Sequence, residues 1–169
     1  MKKATAVALG LLVTIAVAAA AQEGLIPYQT LRDYLPATLG GMPLEGEPSG
    51  TTMTSESYSM SMVTASYGEG DLSGTITIHH GLTAGQQYAT QQQMGNMSIE
   101  NEQMLYRTIT VNGLPAIEHL LRDERTAMVY VLVGENLVVT VHMQNVDSAE
   151  ACIACAEAMD LQGLAALAN

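Results

Sequence analysis

Cys152 and Cys155 are the residues whose spacing most directly suggests redox or metal chemistry, and they are the only cysteines in the chain. The apolar pattern around them predicts a helix, in which Cβ atoms three residues apart lie roughly 5 to 6 Å from each other. A relaxed disulfide needs about 3.5 to 4.5 Å. We therefore predict two small, partly buried thiols, and the alternatives are a strained disulfide and a redox or metal site.

The four histidines do not have the spacing of a metal site. His79 and His80 are neighbours in a strand pattern, so their side chains point to opposite faces. His119 and His142 fall on two strands with a third between them, and a diagonal of roughly 12 Å separates them. No carboxylate completes either pair, and we predict that the protein binds no metal and no cofactor.

Methionine is the reason to keep copper as an alternative. The chain has 11 methionines but no Phe and no Trp, so methionine must fill large core positions. Thioether sulfur is also a ligand for Cu(I). Two methionine pairs could supply it, at positions 60 and 62 and at positions 94 and 97.

Three predicted strands near the C-terminus bring polar side chains together. They span residues 116–122, 127–133 and 137–143, and short turns set their register. Pairing Arg122 with Ala127 and Val133 with Leu137 would place His119, Tyr130 and Thr140 in one row, with the valines on the opposite face. We take this row as the candidate ligand-binding patch, and the simpler alternative is a structural histidine in a polar patch under a helix.

Catalytic motifs are missing from the sequence. It has no Gly-x-Ser-x-Gly, no His-Glu-x-x-His, no phosphate-binding loop and no dinucleotide fingerprint. Glu118 falls on the valine-rich face, where we predict an ion pair with Arg122, four residues further on. We therefore predict that the protein is not an enzyme.

The N-terminus has the pattern of an export signal. Lys2 and Lys3 precede an apolar stretch from Ala4 to Val17, and small residues at 19–21 fit a cleavage site before Gln22. We predict that residues 1–21 are a cleaved signal peptide, that residues 22–169 form a single domain, and that the protein is periplasmic or extracellular. No later apolar run is long enough for a membrane span.

Cleavage would leave a strongly acidic protein. Both lysines are lost with the signal, so four arginines face 17 acidic residues and the net charge becomes −13. Such a charge makes nucleic acid and anionic lipid poor partners. The partners that we expect are a small ligand or another envelope protein.

The hydrophobic periodicity predicts an α+β fold, with a mostly antiparallel sheet of about six strands and flanking helices. We expect the order α-β-β-α-β-β-β-β-α. Residues 40–43 and 45–50, rich in Gly and Pro, are predicted to be irregular. The predicted helices span residues 27–36, 83–94 and 147–159, and the strands residues 57–67, 72–78, 104–111, 116–122, 127–133 and 137–143.

Five short segments, in this order, resemble a family of exported bacterial proteins of unknown function. The resemblance extends over most of residues 22–169, but it does not include the cysteine pair, and it implies no catalytic residues. The element order is also similar to that of PsbP-type α/β/α sandwiches, an analogy that concerns the fold alone. The segments are Leu39-Gly40-Gly41-Met42-Pro43, Tyr67-Gly68-Glu69-Gly70, Gly113-Leu114-Pro115-Ala116-Ile117-Glu118, Val133-Gly134-Glu135-Asn136-Leu137-Val138-Val139 and Asp160-Leu161-Gln162-Gly163-Leu164-Ala165-Ala166-Leu167.

Two functions follow from these patterns. The first is an exported, non-enzymatic domain that binds a small ligand or an envelope protein. The alternative is a periplasmic copper or redox accessory protein that uses methionines, histidines or the cysteine pair.

Overall fold

A computed structural model describes residues 24–55, 58–95 and 98–168 of the chain. Within these residues the chain forms nine strands and four short helices. The strands are β1 (Thr38–Leu39), β2 (Met42–Thr54), β3 (Ser59–Glu69), β4 (Leu72–Gly81), β5 (Ile99–Glu100), β6 (Met104–Val111), β7 (Leu114–Leu121), β8 (Thr126–Gly134) and β9 (Leu137–Gln144). The helices are α1 (Tyr28–Arg32), α2 (Leu82–Gly95), α3 (Glu150–Ala158) and α4 (Leu161–Ala168).

The described strands join in a single antiparallel sheet in the order β1-β2-β3-β4-β9-β8-β7-β6-β5. The prediction of about six strands with flanking helices is therefore wrong. The predicted meander of β7, β8 and β9 as consecutive neighbours is confirmed. The predicted signal peptide, residues 1–21, lies outside the described residues.

Two of the missed strands come from a segment that Gly and Pro made look irregular. Gly40 and Gly41 have φ values of 57° and 92°, which allows a two-residue turn between β1 and β2. Pro48 lies where the pairing of β2 with β3 shifts between Glu45 and Ser49. A residue without an N–H group is tolerated at such a bulge. This side of β2 is also mostly an open edge, because β1 pairs with it only at Met42 and Pro43.

The sheet consists of two meanders that meet at β4 and β9. Strands β1 to β4 are consecutive neighbours, and so are β5 to β9. The joint pairs Ser73 with Gln144 at one end and His80 with Leu137 at the other. Residues that are far apart in the sequence therefore hold the two halves together.

One face of the sheet, here called the core face, packs against α1, α3 and α4. Apolar residues from these helices, including Leu31, Cys152 and Leu164, lie in one buried cluster with the sheet residues. The four valines at 129, 131, 139 and 141 are fully buried in it, as the alternating pattern predicted. The opposite face, here called the second face, is crossed by α2, which contacts strands β3, β4, β6, β7, β8 and β9.

The ends of the helices differ from the predicted ones. Helix α1 ends at Arg32, and α3 begins at Glu150, without a side-chain cap. Asp147, where we predicted the start of this helix, lies before it, and its carboxylate accepts a hydrogen bond from Arg125 at 3.0 Å. Helix α4 has no counterpart in the predicted elements.

No single helix in the described part of the chain has the length and apolar composition of a membrane span. Helices α3 and α4 have them only together, with a bend of 62° between the two.

Candidate functional site

The candidate patch of His119, Tyr130 and Thr140 lies on the second face, but its members do not share a row. Tyr130 pairs with Thr140, as expected. The pairing of β7 with β8 differs from the expected one by two residues, because Leu120, not Arg122, lies opposite Ala127. An even shift keeps each side chain on its face and changes only its neighbours. Tyr130 therefore pairs with Ile117, and His119 belongs to the next row.

From β6 to β2 that next row crosses seven strands, and we call this part of it the histidine row. It brings His119 and His142 closer than the expected diagonal, because they now lie directly across β8, about 10 Å apart by strand spacing. Met128 lies between the two histidines on β8, and within the described residues they do not belong to any group of three ligands that could hold a metal ion. From β6 to β2 the row contains Tyr106, His119, Met128, His142, Thr75, Ser66 and Glu45.

Helix α2 covers the second face beside the β6 end of this row. Its residues Ala84 and Tyr88 are buried against Tyr106, Tyr130 and their apolar neighbours. These two residues form the buried face of α2, and glutamines such as Gln86, Gln87 and Gln92 are on its exposed face. The Tyr106 hydroxyl donates to the Gln91 carbonyl oxygen at 2.6 Å, and the Tyr130 hydroxyl donates to the Met128 sulfur at 3.2 Å.

The Tyr88 hydroxyl differs from the other two, because it is buried and has no hydrogen-bond partner among the described residues. Burial raises the pKa of Tyr88, Tyr106 and Tyr130, so all three phenols are neutral at pH 7. The neighbouring phenols of Tyr130 and Tyr88 add to the shift at Tyr106. These tyrosines form a packed cluster rather than a set of ionised groups.

His119 packs against the edge of this cluster. Its ring lies 5.0 Å from the Tyr106 ring at an interplanar angle of 68°, an edge-to-face contact. Burial lowers the pKa of His119, and the carboxylate of Glu124 partly opposes that shift. The structural alternative, a histidine in a polar patch beside a helix, therefore describes His119 better than a ligand-facing role.

The β2 end of the histidine row is not covered by α2, and a cleft of about 210 Å³ lies there. Two rows form its floor. Ser66, Thr75 and His142 belong to the first, and Ser73 and Gln144 to the second. The Ser73 hydroxyl donates to the Gln144 side-chain oxygen at 3.2 Å. Glu45, from β2, completes the lining together with backbone at Tyr67 and Gly74.

Gly68 leaves room for the Glu45 carboxylate. A Cβ atom at position 68 would overlap that carboxylate, so the absence of a side chain makes room for it on the second face. Glu45 is also the last paired residue of β2 before the bulge that contains Gly46, whose φ is 70°. A bulge of this kind turns neighbouring side chains away from their regular positions.

His142 is the titratable base of the cleft. Burial lowers the pKa of its imidazole, so the ring is neutral at pH 7. Within residues 24–55, 58–95 and 98–168, the imidazole ring of His142 has no hydrogen-bond partner. The ring can therefore offer both a donor and an acceptor to a molecule in the cleft.

The residues of this cleft are not among the predicted site residues. The sequence suggests His142 only as a possible metal ligand together with His119, and it suggests no role for Ser66 and Thr75. Glu45 fell in the segment predicted to be irregular. Pairing between consecutive strands joins Glu45, Ser66 and Thr75, but only the pairing of β4 with β9 adds His142, and no local pattern reveals a pairing between distant strands.

The cysteine pair is buried on the core face, with both thiols free. The Cys152 thiol donates to the Ala127 carbonyl oxygen at 3.7 Å. Burial, with a contribution from the neighbouring Cys155, raises the pKa of Cys152 to about 12, and burial raises the pKa of Cys155 to about 11. Thiols with such pKa values are poor nucleophiles and poor redox groups at pH 7. The predicted alternative of a strained disulfide is not the state in this structure.

The remaining histidines have separate structural roles. The His79 ring is hydrogen-bonded to the Thr83 hydroxyl at 3.0 Å, at the start of α2. The His80 Nδ1 atom accepts a hydrogen bond from the Ile26 backbone N–H at 3.0 Å, on the core face. Their side chains diverge, as the strand pattern predicted. Burial lowers the pKa of both rings.

Metal ligands do not cluster in the described part of the chain, where no group of three His, Cys, Asp or Glu side chains could hold an ion. Methionine sulfur is not among these four ligand types. Met97 and the side chain of Met94 lie outside what the structure describes. The prediction that no metal is bound therefore stays a prediction.

Glu118 has a different partner from the predicted one. Its buried carboxylate accepts a hydrogen bond from Arg107 at 2.8 Å, across the pairing of β6 with β7. Arg122 instead lies 3.7 Å from the exposed Glu100. The prediction failed because Arg107 is on the neighbouring strand, directly opposite Glu118, whereas Arg122 lies beyond the end of β7.

Comparison with protein-family models, curated proteins and solved structures gives no match for this chain. The resemblance to exported bacterial proteins stays a prediction from the sequence.

Proposed function

We propose that the protein is an exported, non-enzymatic domain that binds a small polar ligand in the cleft between Glu45 and His142. The cleft itself supports the proposal: it has side chains from four strands, it is open to solvent, and six of its eight lining residues contribute hydrogen-bonding side chains. Its volume of about 210 Å³ is smaller than the usual pocket for a drug-sized molecule. The ligand is therefore small.

The chemistry of the lining favours binding over catalysis. A serine or threonine acts as a nucleophile only when its hydroxyl is hydrogen-bonded to a base. The Ser73 hydroxyl is instead engaged by Gln144. The described residues record no hydrogen bond between the His142 ring and Ser66 or Thr75. An arrangement of hydroxyl, amide and imidazole groups of this kind is suited to recognising a polar molecule without activating it.

The alternative function, a copper or redox accessory protein, has less support. Both thiols are buried and have raised pKa values. Met60 and Met62 do lie on the second face with His79, which pairs with Met62. The His79 ring, however, is already hydrogen-bonded to Thr83.

NMR titration of the histidine side chains tests the proposal. The probes are sorbitol, gluconate and 1-amino-1-deoxysorbitol, which have the same carbon skeleton and are neutral, anionic and cationic. We expect a saturable shift of the His142 resonances with at least one probe, while those of His80, in the core, stay unchanged.

Two variants make the assignment specific. Thr75→Val removes a hydroxyl from the cleft and should weaken the binding, whereas Thr110→Val, on β6 outside the cleft, should not. If none of the three probes shifts the His142 resonances, the proposed function is wrong.

A further inference from the structure

We propose that the ligand of this cleft is a small hydroxylated primary ammonium ion, with its ammonium group at the Glu45 carboxylate and its hydroxyl groups at Ser66, Ser73 and Thr75. This inference rests on the proposed function, since it assigns a chemical class to the same site. It follows from the charge of the cleft, the position of the carboxylate and the hydrogen-bonding groups beside it.

Glu45 supplies the charge of the cleft. It is the one carboxylate in the lining, and the lining contains no Lys and no Arg. His142 is neutral at pH 7, so it does not offset that charge. The ion pairs recorded in the described ranges join Arg107 to Glu118, Arg122 to Glu100 and Arg125 to Asp147. Glu45 therefore has no cation within its own chain there.

The Glu45 carboxylate lies where a ligand in the cleft can reach it. Gly68 leaves the space in which it lies, and Glu45 is the last paired residue of β2 before the bulge. The side chain is exposed, so a ligand can contact it without any change in the sheet. An ammonium group can donate to it in a charge-assisted hydrogen bond.

Hydroxyl groups of the ligand have partners on both rows of the floor. Ser66 and Thr75 are directly paired across β3 and β4, and Ser73 is the next residue of β4 on the same face. Gln144 and His142 lie beside them on β9. These side chains both donate and accept hydrogen bonds, which matches a polyhydroxylated molecule rather than an apolar one.

The charge of the whole chain acts in the same direction. The excess of acidic residues attracts cations and repels anions at long range, in addition to the local effect of Glu45. An anionic ligand would have to approach against both charges. A neutral one would gain from neither.

Calorimetric and NMR titrations of the folded protein at pH 7 compare 1-amino-1-deoxysorbitol with sorbitol. The two probes differ only in an ammonium group that replaces a hydroxyl group. We expect the amine to bind at least about tenfold more tightly, the lower range for a hydrogen bond to a charged group. The difference should shrink as salt is raised from about 20 mM to about 0.5 M, because the attraction is screened.

Glu45→Gln separates the carboxylate from the general acidity of the chain. It keeps the shape of the side chain and should remove the preference for the amine while sorbitol binding is retained. Glu47→Gln is the matched control, since Glu47 is exposed on the same strand and does not line the cleft. Thermal unfolding of both variants checks that they fold equally well.

Three results would overturn the inference: equal affinity for amine and sorbitol, tighter binding of gluconate, or an equal effect of the two substitutions. In each of them a shift of the His142 resonances would still support the proposed function. Absence of any His142 shift would remove both.

Discussion

Glu45 and Gly68 lie on neighbouring strands, and the Glu45 carboxylate occupies the space that a side chain at position 68 would need. The contact is polar and exposed, so its importance is for the position of a charge rather than for stability. Replacing Gly68 is therefore expected to change the affinity for a ligand while the stability of the fold stays nearly unchanged.

Gly68→Ala should displace the Glu45 carboxylate from the cleft. Because Glu45 lies at the surface and can rotate away, we expect the free energy of unfolding to change by about 0.5 kcal/mol or less. The affinity for 1-amino-1-deoxysorbitol should fall, and urea unfolding with calorimetric titration measures both quantities. Unchanged affinity would show that Gly68 does not position the carboxylate.

Gly74→Ala should destabilise the protein. A Cβ atom at position 74 would lie 2.6 Å from the Leu39 side chain and 2.8 Å from the His142 backbone oxygen, neither of which can move freely. Overpacking of this kind lowers the free energy of unfolding by about 1–3 kcal/mol. Ser73→Ala, on the other face of the same strand, is the control and should cost less in urea unfolding.

Tyr88→Phe and Tyr106→Phe should have opposite effects on stability. The first removes a buried hydroxyl that has no partner in the described chain, so the free energy of unfolding should stay equal or rise. The second removes hydrogen bonds to Gln91 and should lower it by about 1 kcal/mol. A loss of that size in the Tyr88 variant, measured by chemical unfolding, would mean that its hydroxyl has a partner such as a bound water.

Arg107→Met should destabilise the protein more than Arg122→Met does. The first leaves the buried Glu118 carboxylate without its partner, which we expect to cost about 1–3 kcal/mol. The second removes an exposed pair at 3.7 Å, worth about 0–1 kcal/mol. Glu118→Gln added to Arg107→Met should recover part of the loss, and equal effects of the two single variants would contradict this assignment.

Stability should fall as the pH rises above about 9. Both thiols ionise near the ordinary cysteine pKa of 9.0 when the chain is unfolded, but at about 12 for Cys152 and about 11 for Cys155 when it is folded. Raised pKa values of this kind contribute stability that is complete below about pH 9 and is lost as the pH rises towards about 11 to 12.

Urea unfolding at about pH 7, 9 and 10.5 measures the loss. A Cys152→Ala, Cys155→Ala double variant should show a smaller decrease, although tyrosines such as Tyr67, with a pKa raised to about 12, keep part of it. Equal decreases in the two proteins would show that the thiols are not the cause.

Local patterns in the sequence located the central strands but not the edges of the sheet. Asn112 and Gly113 separate the predicted strands 104–111 and 116–122, and their φ values of 50° and 80° explain why Asn and Gly occupy this turn. The alternation of valines in β8 and β9 correctly predicted the core face. Strands β1 and β5 contain only two residues each, too few to show any periodicity, and β2 contains prolines that a central strand would not tolerate.

The predicted patch and the proposed cleft lie on the same face of the sheet but at different places along it. His119 and Tyr130 were selected from turn lengths, and a register change of two residues separated them. The cleft depends on the pairing of Thr75 with His142, residues that are distant in the sequence and whose pairing no turn determines. Short turns therefore predict how strands pair within one meander, but they do not predict how the two meanders pair with each other.

The joint between β4 and β9 also bears on how the chain folds. Each meander can form from neighbouring segments, whereas the joint requires the closure of a loop that contains α2 and all of β5 to β8. Closing a long loop costs entropy before its contacts form, and sheets with such distant pairings fold slowly. We expect the two halves to form early and to dock late. Because the cleft spans that joint, the binding site is complete only after the last step of folding.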